Sequence, residues 1–353
     1  MIYGLRIVAI GGGTGLAALL TGLKHFTQAP ASGARQTQQG QGAQHSQRGG
    51  DAVYFADLAA LVTVTDDGGS SGRLRDELQI LPPGDIRNCL LALSSDESLL
   101  SSLFQHRFEG NGDLGGHNFG NLFLAALTSV TGDFYSAVRA ASQVLAIEGR
   151  IFPSTTESVS LLAELADGSR VGGETRISSS TKPIRRVSLD PPDCRPLEDS
   201  LTALREADII LVGPGSLYTS LIPNLLVPGV SQAISGSKAL VVYLCNIMTQ
   251  PGETTGYGLG QHVEALLEHC PELKLSFVLA NDAPVPEATL QRYRSEGADQ
   301  VGIPESSEAA VPCPVVAHDL LGSGEPLRHD GAKTAAILQS LFHRARLATS
   351  ASS

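Results

Sequence analysis

Gly12, Gly13, Thr14 and Gly15 follow an apolar run and open a leucine-bearing segment, which is a place where a glycine turn can hold phosphate. Glycine lets the backbone approach an anion, and a helix N-terminus adds free N–H donors and the positive end of a dipole. The spacing is not the GxGxxG dinucleotide fingerprint, because Gly15 falls one position early, and the turn lacks a P-loop lysine. A tight turn without a ligand is the competing reading. A second glycine turn, Gly213-Pro214-Gly215-Ser216, also follows an apolar run. Ser216 and Thr219 there offer hydroxyls either to phosphate oxygens or to the next helix as caps, and Asn224 lies further along.

Asp66 and Asp67 end another apolar run, where open α/β sheets bind ligands. Adjacent carboxylates repel unless a cation or donors are near, and successive strand-end side chains point opposite ways. One carboxylate is therefore free to face a ligand while the other braces the loop. Mg²⁺, a ribose hydroxyl or an amine would suit the first, and a solvated Asx-capped turn is the alternative. In Pro82-Pro83-Gly84-Asp85-Ile86-Arg87-Asn88, Asp85 is a natural N-cap. Arg87 in a first helical turn opposes the dipole unless a phosphate or a nearby aspartate offsets it. His117, Asn118 and Asn121 lie among glycines before a helix, a setting that suits ligand contact or a structural role. Asn246, Thr249 and Gln250 form an amide-rich segment after an apolar run, suited to reading a base or sugar if it is more than a Pro-Gly surface turn.

Elements with the right periods stand behind these loops. Residues 5–10, 58–64, 209–212, 240–244 and 273–279 read as buried strands. Helices are expected over residues 16–26, from about residue 86, over 121–128, 135–146 and 332–344. Residues 171–177 and 184–189 flank a Ser/Thr-rich turn and read as an antiparallel pair. The alternation predicts an α/β fold. It is a Rossmann-like, doubly wound, mostly parallel sheet with helices on both faces and a small antiparallel addition. Residues 28–51 are Gln/Gly/Ser-rich with almost nothing to bury and read as a disordered insertion, while residues 346–353 read as a polar tail. Residues 1–345 are then one domain carrying that insertion.

The net charge of −11, with both signs dispersed, argues against broad binding to nucleic acid or anionic membranes. Five cysteines, odd in number and without a CxxC pair, read as small buried hydrophobes rather than a disulfide framework or zinc site. No apolar run reaches ~18 residues and no signal-peptide layout opens the chain, so a cytoplasmic protein without a membrane span is expected.

The blocks GGGTG, TVTDDGGSSGRLR, PPGDIRN, GHNFGN, GPGSLYTSLIPNLL and NIMTQPGET occur in that order. Together they resemble the signature of the YvcK-like gluconeogenesis factor family, over about residues 6–341. That family is related to CofD, the 2-phospho-L-lactate transferase of coenzyme F420 synthesis. The resemblance implies a UDP-sugar ligand such as UDP-N-acetylglucosamine, no required cofactor, and a role in cell shape and wall synthesis on gluconeogenic carbon sources. It carries no firmly attached turnover. A wall-synthesis protein is the implied downstream partner, and a homo-oligomer is left open. The CofD branch instead transfers a phospholactyl-type group with Mg²⁺ near the acidic strand end, which would make Asp66 the metal position. Arg328-His329-Asp330 also resembles the regulator branch; some relatives carry a phosphorylatable threonine nearby, where this chain has Gly331. Arg87 and Arg328 would hold a diphosphate, with Asp66 in the same polar crevice. No aromatic cluster suited to a deazaflavin adjoins the glycine loops apart from Phe119 and Tyr218, which favours the regulator reading.

Overall fold

A computed structural model of the chain describes residues 2–27, 52–95, 99–303 and 311–350. The insertion expected at residues 28–51 and residues 351–353 of the expected tail lie outside these. Ten strands are present among the described residues: β1 Ile2–Gly11, β2 Ala52–Val62, β3 Arg150–Pro153, β4 Ser160–Leu165, β5 Arg170–Gly172, β6 Ile184–Asp190, β7 Ile209–Val212, β8 Leu240–Leu244, β9 Phe277–Asn281 and β10 Val315–His318.

Seven of them form one sheet in the order β3-β2-β1-β7-β8-β9-β10, and every pairing in it is parallel. The central strands are apolar on both faces, as a covered parallel sheet requires: Ile7, Ala9 and Ile10 of β1 and all of β7 are fully buried. The chain winds from β1 outward through β2 to β3, then returns to the middle at β7 and winds the other way. With right-handed crossovers, that reversal places helices on both faces and opens a crevice between the ends of β1 and β7. The α/β, Rossmann-like fold expected from the sequence is the fold present.

The small antiparallel addition is a three-stranded sheet in the order β5-β4-β6. It differs in detail from the expected pair. The two expected strands do not pair with each other, because β4 runs between them, and residues Glu174–Ser178 turn into a short helix instead of continuing β5.

The first helix, Gly13–Leu23, buries Leu16, Leu19, Leu20 and Leu23, the stripe legible in the sequence. It packs against Gly84–Leu93 and against the final helix, Gly331–Ser350, which runs past the expected end at residue 344 and takes in the start of the expected tail. Two glycines set that last contact. A Cβ on Gly22 would stand 2.5 Å from the Gly331 Cα, and one on Gly331 would stand 2.5 Å from the Leu19 carbonyl. The final helix can therefore start flush against the first, which brings Arg328 over the first glycine loop. Of the five cysteines, Cys89, Cys194, Cys245 and Cys270 are buried and Cys313 is half-buried. Among the described residues no helix is long and apolar enough to cross a membrane.

Candidate functional site

The two glycine loops meet over the gap between β1 and β7. Gly213 donates its N–H to the Ile10 carbonyl at 2.8 Å. A Cβ on Gly11 would stand 2.6 Å from the Pro214 carbonyl oxygen, so a side chain there would push the loops apart. Gly13 has a φ of +64°, which turns the chain sharply into the Gly13–Leu23 helix. That helix carries no side-chain cap at its start; the Gly13 N–H is turned to the Asp85 carboxyl, and the N–H groups that follow it remain available to an anion. Asn224 is fully buried behind the loops and donates to the carbonyls of Gly11 at 2.9 Å and Ser220 at 2.8 Å.

A crevice of about 320 Å³ opens in front of them. Gly12, Gly13, Thr14 and Gly15 form one wall, Gly215 and Ser216 another, and Asn246, Thr249 and Gln250 a third. Arg328 closes it by donating Nη2 to Thr14 Oγ1 at 2.6 Å and Nη1 to its neighbour's carbonyl, that of Leu327, at 2.9 Å. The pairing with Asp330 that a surface arginine would favour is absent. Asp330 instead accepts from the N–H groups of Ala332 and Lys333 at the start of the last helix.

The far wall is held by its own amides. Asn246 Nδ2 donates to the Gly215 carbonyl at 2.9 Å, and Gln250 Nε2 donates to Ser216 Oγ at 2.8 Å. Their other ends, Asn246 Oδ1 and Gln250 Oε1, are sealed from water and have no partner. Glu174 Oε2, from the short helix after β5, is likewise sealed and unpartnered in the same crevice. A buried polar atom without a partner is costly, so three of them on residues of one crevice mark where a ligand's polar groups would go. Thr249 lines the wall, but its N–H and Oγ1 are engaged with Asp299.

The two strand-end aspartates do divide their work. Asp67 Oδ1 accepts from Thr175 N at 2.9 Å and Thr175 Oγ1 at 2.7 Å and so fastens the small sheet to the large one. Asp66 Oδ1 accepts from Gly68 N at 2.8 Å, an Asx turn. Asp85 is not an N-cap; Pro83 holds that position. Its carboxyl lies beneath the first glycine loop, where Gly13 N–H donates to it. Burial pushes Asp85 up to about 6, the Gly13 bond opposes the rise and Asp66 adds to it. Glu174 is raised well above the ordinary carboxyl range, first by burial and then by Asp85 and Asp66. Burial also raises Glu253, although Ser178, Thr219 and the Tyr218 N–H all donate to it.

Not every expected residue reaches the crevice: Asp66, expected beside Arg328, does not line it, and neither does Asp67. Thr219 is buried and spent on Glu253, and Asn224 and Gly213 stand behind the loops. Arg87 does not join Arg328 in one crevice. It lies across the Gly13–Leu23 helix in a second recess of about 400 Å³, with Asn88, Asn118 and Arg107, and only Thr14 borders both. No aspartate bonds directly to its guanidinium: Nη1 donates to Asn121 Oδ1 at 3.1 Å and Nη2 to Asn88 Oδ1 at 2.7 Å. Asn118 caps the Phe119–Thr131 helix by accepting from Asn121 N. His117 is buried against Ser70 at 3.1 Å, and burial followed by Arg73 lowers its pKa. It lines neither recess.

The sequence reading missed Glu174, Tyr293 and His329, which line the crevice. His329 is buried with Nε2 3.1 Å from the Cys245 carbonyl, and burial brings its pKa down to about 4. It ties the Arg328 segment to the end of β8. Its place beside Arg328 was the one available signal.

The family model of the 2-phospho-L-lactate transferase CofD matches residues 7–321. A gluconeogenesis factor of Halalkalibacterium halodurans is 44% identical to the chain, covering 95% of it and 96% of that relative. A gluconeogenesis factor of Bacillus subtilis is 42% identical, covering 96% and 98%. The crystal structure of a member of the UPF0052 family from Bacillus halodurans is similar, with a TM-score of 0.84 and 42% identity, covering 95% of the chain and 98% of that structure. The chain therefore belongs to the CofD family and, within it, to the gluconeogenesis factors.

Proposed function

We propose that the chain is a cytoplasmic regulator that binds a UDP-N-acetylglucosamine-type nucleotide sugar and supports cell shape and wall synthesis during growth on gluconeogenic carbon sources. One observation carries the reading. A single crevice pairs anion-binding groups with unpartnered polar atoms: the glycine-loop N–H groups and Arg328 on one side, the acceptors Asn246 Oδ1 and Gln250 Oε1 and the Glu174 carboxyl on the other. A nucleotide sugar brings the matching chemistry, since its diphosphate accepts and its hydroxyl and amide groups donate. Its downstream partner would be a wall-synthesis protein. Calorimetry and thermal shift with UDP-N-acetylglucosamine test the binding. Ligand at ~100 Kd should add about 2.7 kcal/mol of stability. No heat and no shift at millimolar ligand would overturn it.

A metal-dependent phospholactyl-type transferase is the second reading, favoured by the mutual crowding of Asp66, Asp85 and Glu174. Among the described residues no group of three His, Cys, Asp or Glu side chains stands at metal-binding spacing. Under this reading an Mg²⁺ would be held by one or two carboxylates, Asp66 first, together with substrate phosphates. Such an ion would neutralise phosphate charge, while Asp66 positioned it and the glycine-loop N–H groups oriented the phosphates. Asp66→Asn should abolish transfer under this reading; under the regulator reading it should alter only affinity.

A further inference from the structure

The recess on the other side of the Gly13–Leu23 helix lies outside the crevice and shares only Thr14 with it. Arg87 and Arg107 both line it, and no acidic side chain does among the described residues. Arg87 reaches it from the helix Gly84–Leu93, and its guanidinium touches only the amide oxygens of Asn121 and Asn88. Its Nε is sealed from water and has no partner. Arg107 is exposed and donates Nη1 to the Gly116 carbonyl at 2.6 Å. Two guanidiniums that face one cavity repel each other, and each meets only neutral acceptors. An anion between them would relieve that repulsion and engage the free N–H directions in bidentate fashion. The opposite wall is formed by Ala17, Ala18 and Leu91, small or apolar groups that leave room beside the charged end. The Arg87 pKa is lowered by burial first and Arg107 second, while Asp85 and Asp66, which lie outside the recess, act in the opposite direction.

The geometry points to a second ligand site, in which Arg87 and Arg107 hold the phosphoryl group of a small phosphate monoester whose carbon part lies on Ala17, Ala18 and Leu91. The site does not depend on the nucleotide-sugar reading of the crevice. Thr14 borders both spaces, so occupancy of one is poised to affect the other through the Arg328–Thr14 hydrogen bond.

Calorimetry and thermal shift with glycerol 3-phosphate and with orthophosphate, at matched ionic strength in chloride, test this on the full chain. Wild-type protein should bind both, glycerol 3-phosphate more tightly. Arg107→Gln should weaken binding at least tenfold. Because Arg107 also steadies the Gly116 loop, Ala18→Glu provides an independent test. It puts a carboxylate in the recess without touching that hydrogen bond, and it should also weaken binding at least tenfold. Binding that survives both substitutions, or that disappears in Arg328→Ala while surviving them, would assign the anion to the crevice and overturn the proposal. Binding of orthophosphate alone would overturn the assignment to a phosphate monoester, and binding of neither ligand would overturn the site.

Discussion

Replacing Asp85 with asparagine removes one titrating carboxyl beneath the first glycine loop and keeps an oxygen there to accept from Gly13 N–H. The wild-type carboxyl goes from its ordinary 3.8 to about 6 in the folded protein, with burial as the main cause. At 1.36 kcal/mol per pH unit, that amounts to about 3 kcal/mol. The folded state holds this proton more tightly than the unfolded state. The contribution is therefore favourable below pH 4, declines as pH rises through about 6, and is lost above that. His329, brought down from 6.5 to about 4, acts over the same range with the opposite sign, and burial lowers His262 and His269 too, so the wild-type stability curve alone does not isolate Asp85. The difference between Asp85→Asn and wild type does. Urea unfolding at half-unit steps from pH 4 to pH 8 should show the two proteins converging at the acid end. The variant should gain stability steadily with pH and lead by about 3 kcal/mol above pH 7. A pH-independent difference, or a variant less stable than wild type at pH 7.5, would refute an enclosed, proton-holding Asp85.

Three further substitutions probe the frame of the crevice. Gly12→Ala should cost about 1–3 kcal/mol by overpacking and lower the melting temperature, because its methyl would stand 2.7 Å from Asp85 Oδ2 and 2.8 Å from Thr63 Cγ2. Asn224→Ala should cost about 1–3 kcal/mol by chemical denaturation, since it leaves the buried carbonyls of Gly11 and Ser220 without their side-chain donor. His329→Gln should give a difference curve opposite to that of Asp85→Asn. Wild-type His329 must stay neutral to remain buried, with a folded pKa of about 4 against 6.5. Wild-type stability from this group is complete above pH 6.5 and is lost as pH falls toward 4, so the variant should gain about 3 kcal/mol relative to wild type over that interval, read by the same unfolding series.

Buried parallel strands announced themselves, because residues 209–212 and 240–244 are short apolar runs between polar turns and match β7 and β8. β4 did not. Its Ser-Leu-Leu-Ala-Glu-Leu sequence uses good helix formers, and only pairing on both sides makes it a strand. β10 was missed for another reason: it is a short, largely exposed edge strand whose apolar run is only Val315, Val316 and Ala317. In the site, the bracing role of one strand-end aspartate was legible and falls to Asp67, whereas Asp66 closes the Asx turn that was the alternative reading. The separation of Arg87 from Arg328 was not legible, because sequence order does not say on which side of the Gly13–Leu23 helix an arginine arrives. Thr219 and Asn224 show the same limit. Polar residues after a glycine turn look alike whether they face a ligand or support the turn from behind. Glu174 belongs to the small sheet's connection, and nothing in its neighbours marks a place in a crevice built by loops far away in the chain.

The central claim is tested most directly by titrating UDP-N-acetylglucosamine into wild-type protein and into Arg328→Ala in the calorimeter, with circular dichroism to confirm that the variant is folded. Arg328 is half-buried and holds Thr14 at the mouth of the crevice. Removing one charged hydrogen bond to the diphosphate should cost about 1.5–3 kcal/mol of binding, a loss of affinity of roughly 10- to 150-fold. Saturable wild-type binding with that loss is the expected result. Equal affinity in a folded Arg328→Ala protein, or no wild-type binding at millimolar ligand, would contradict the account.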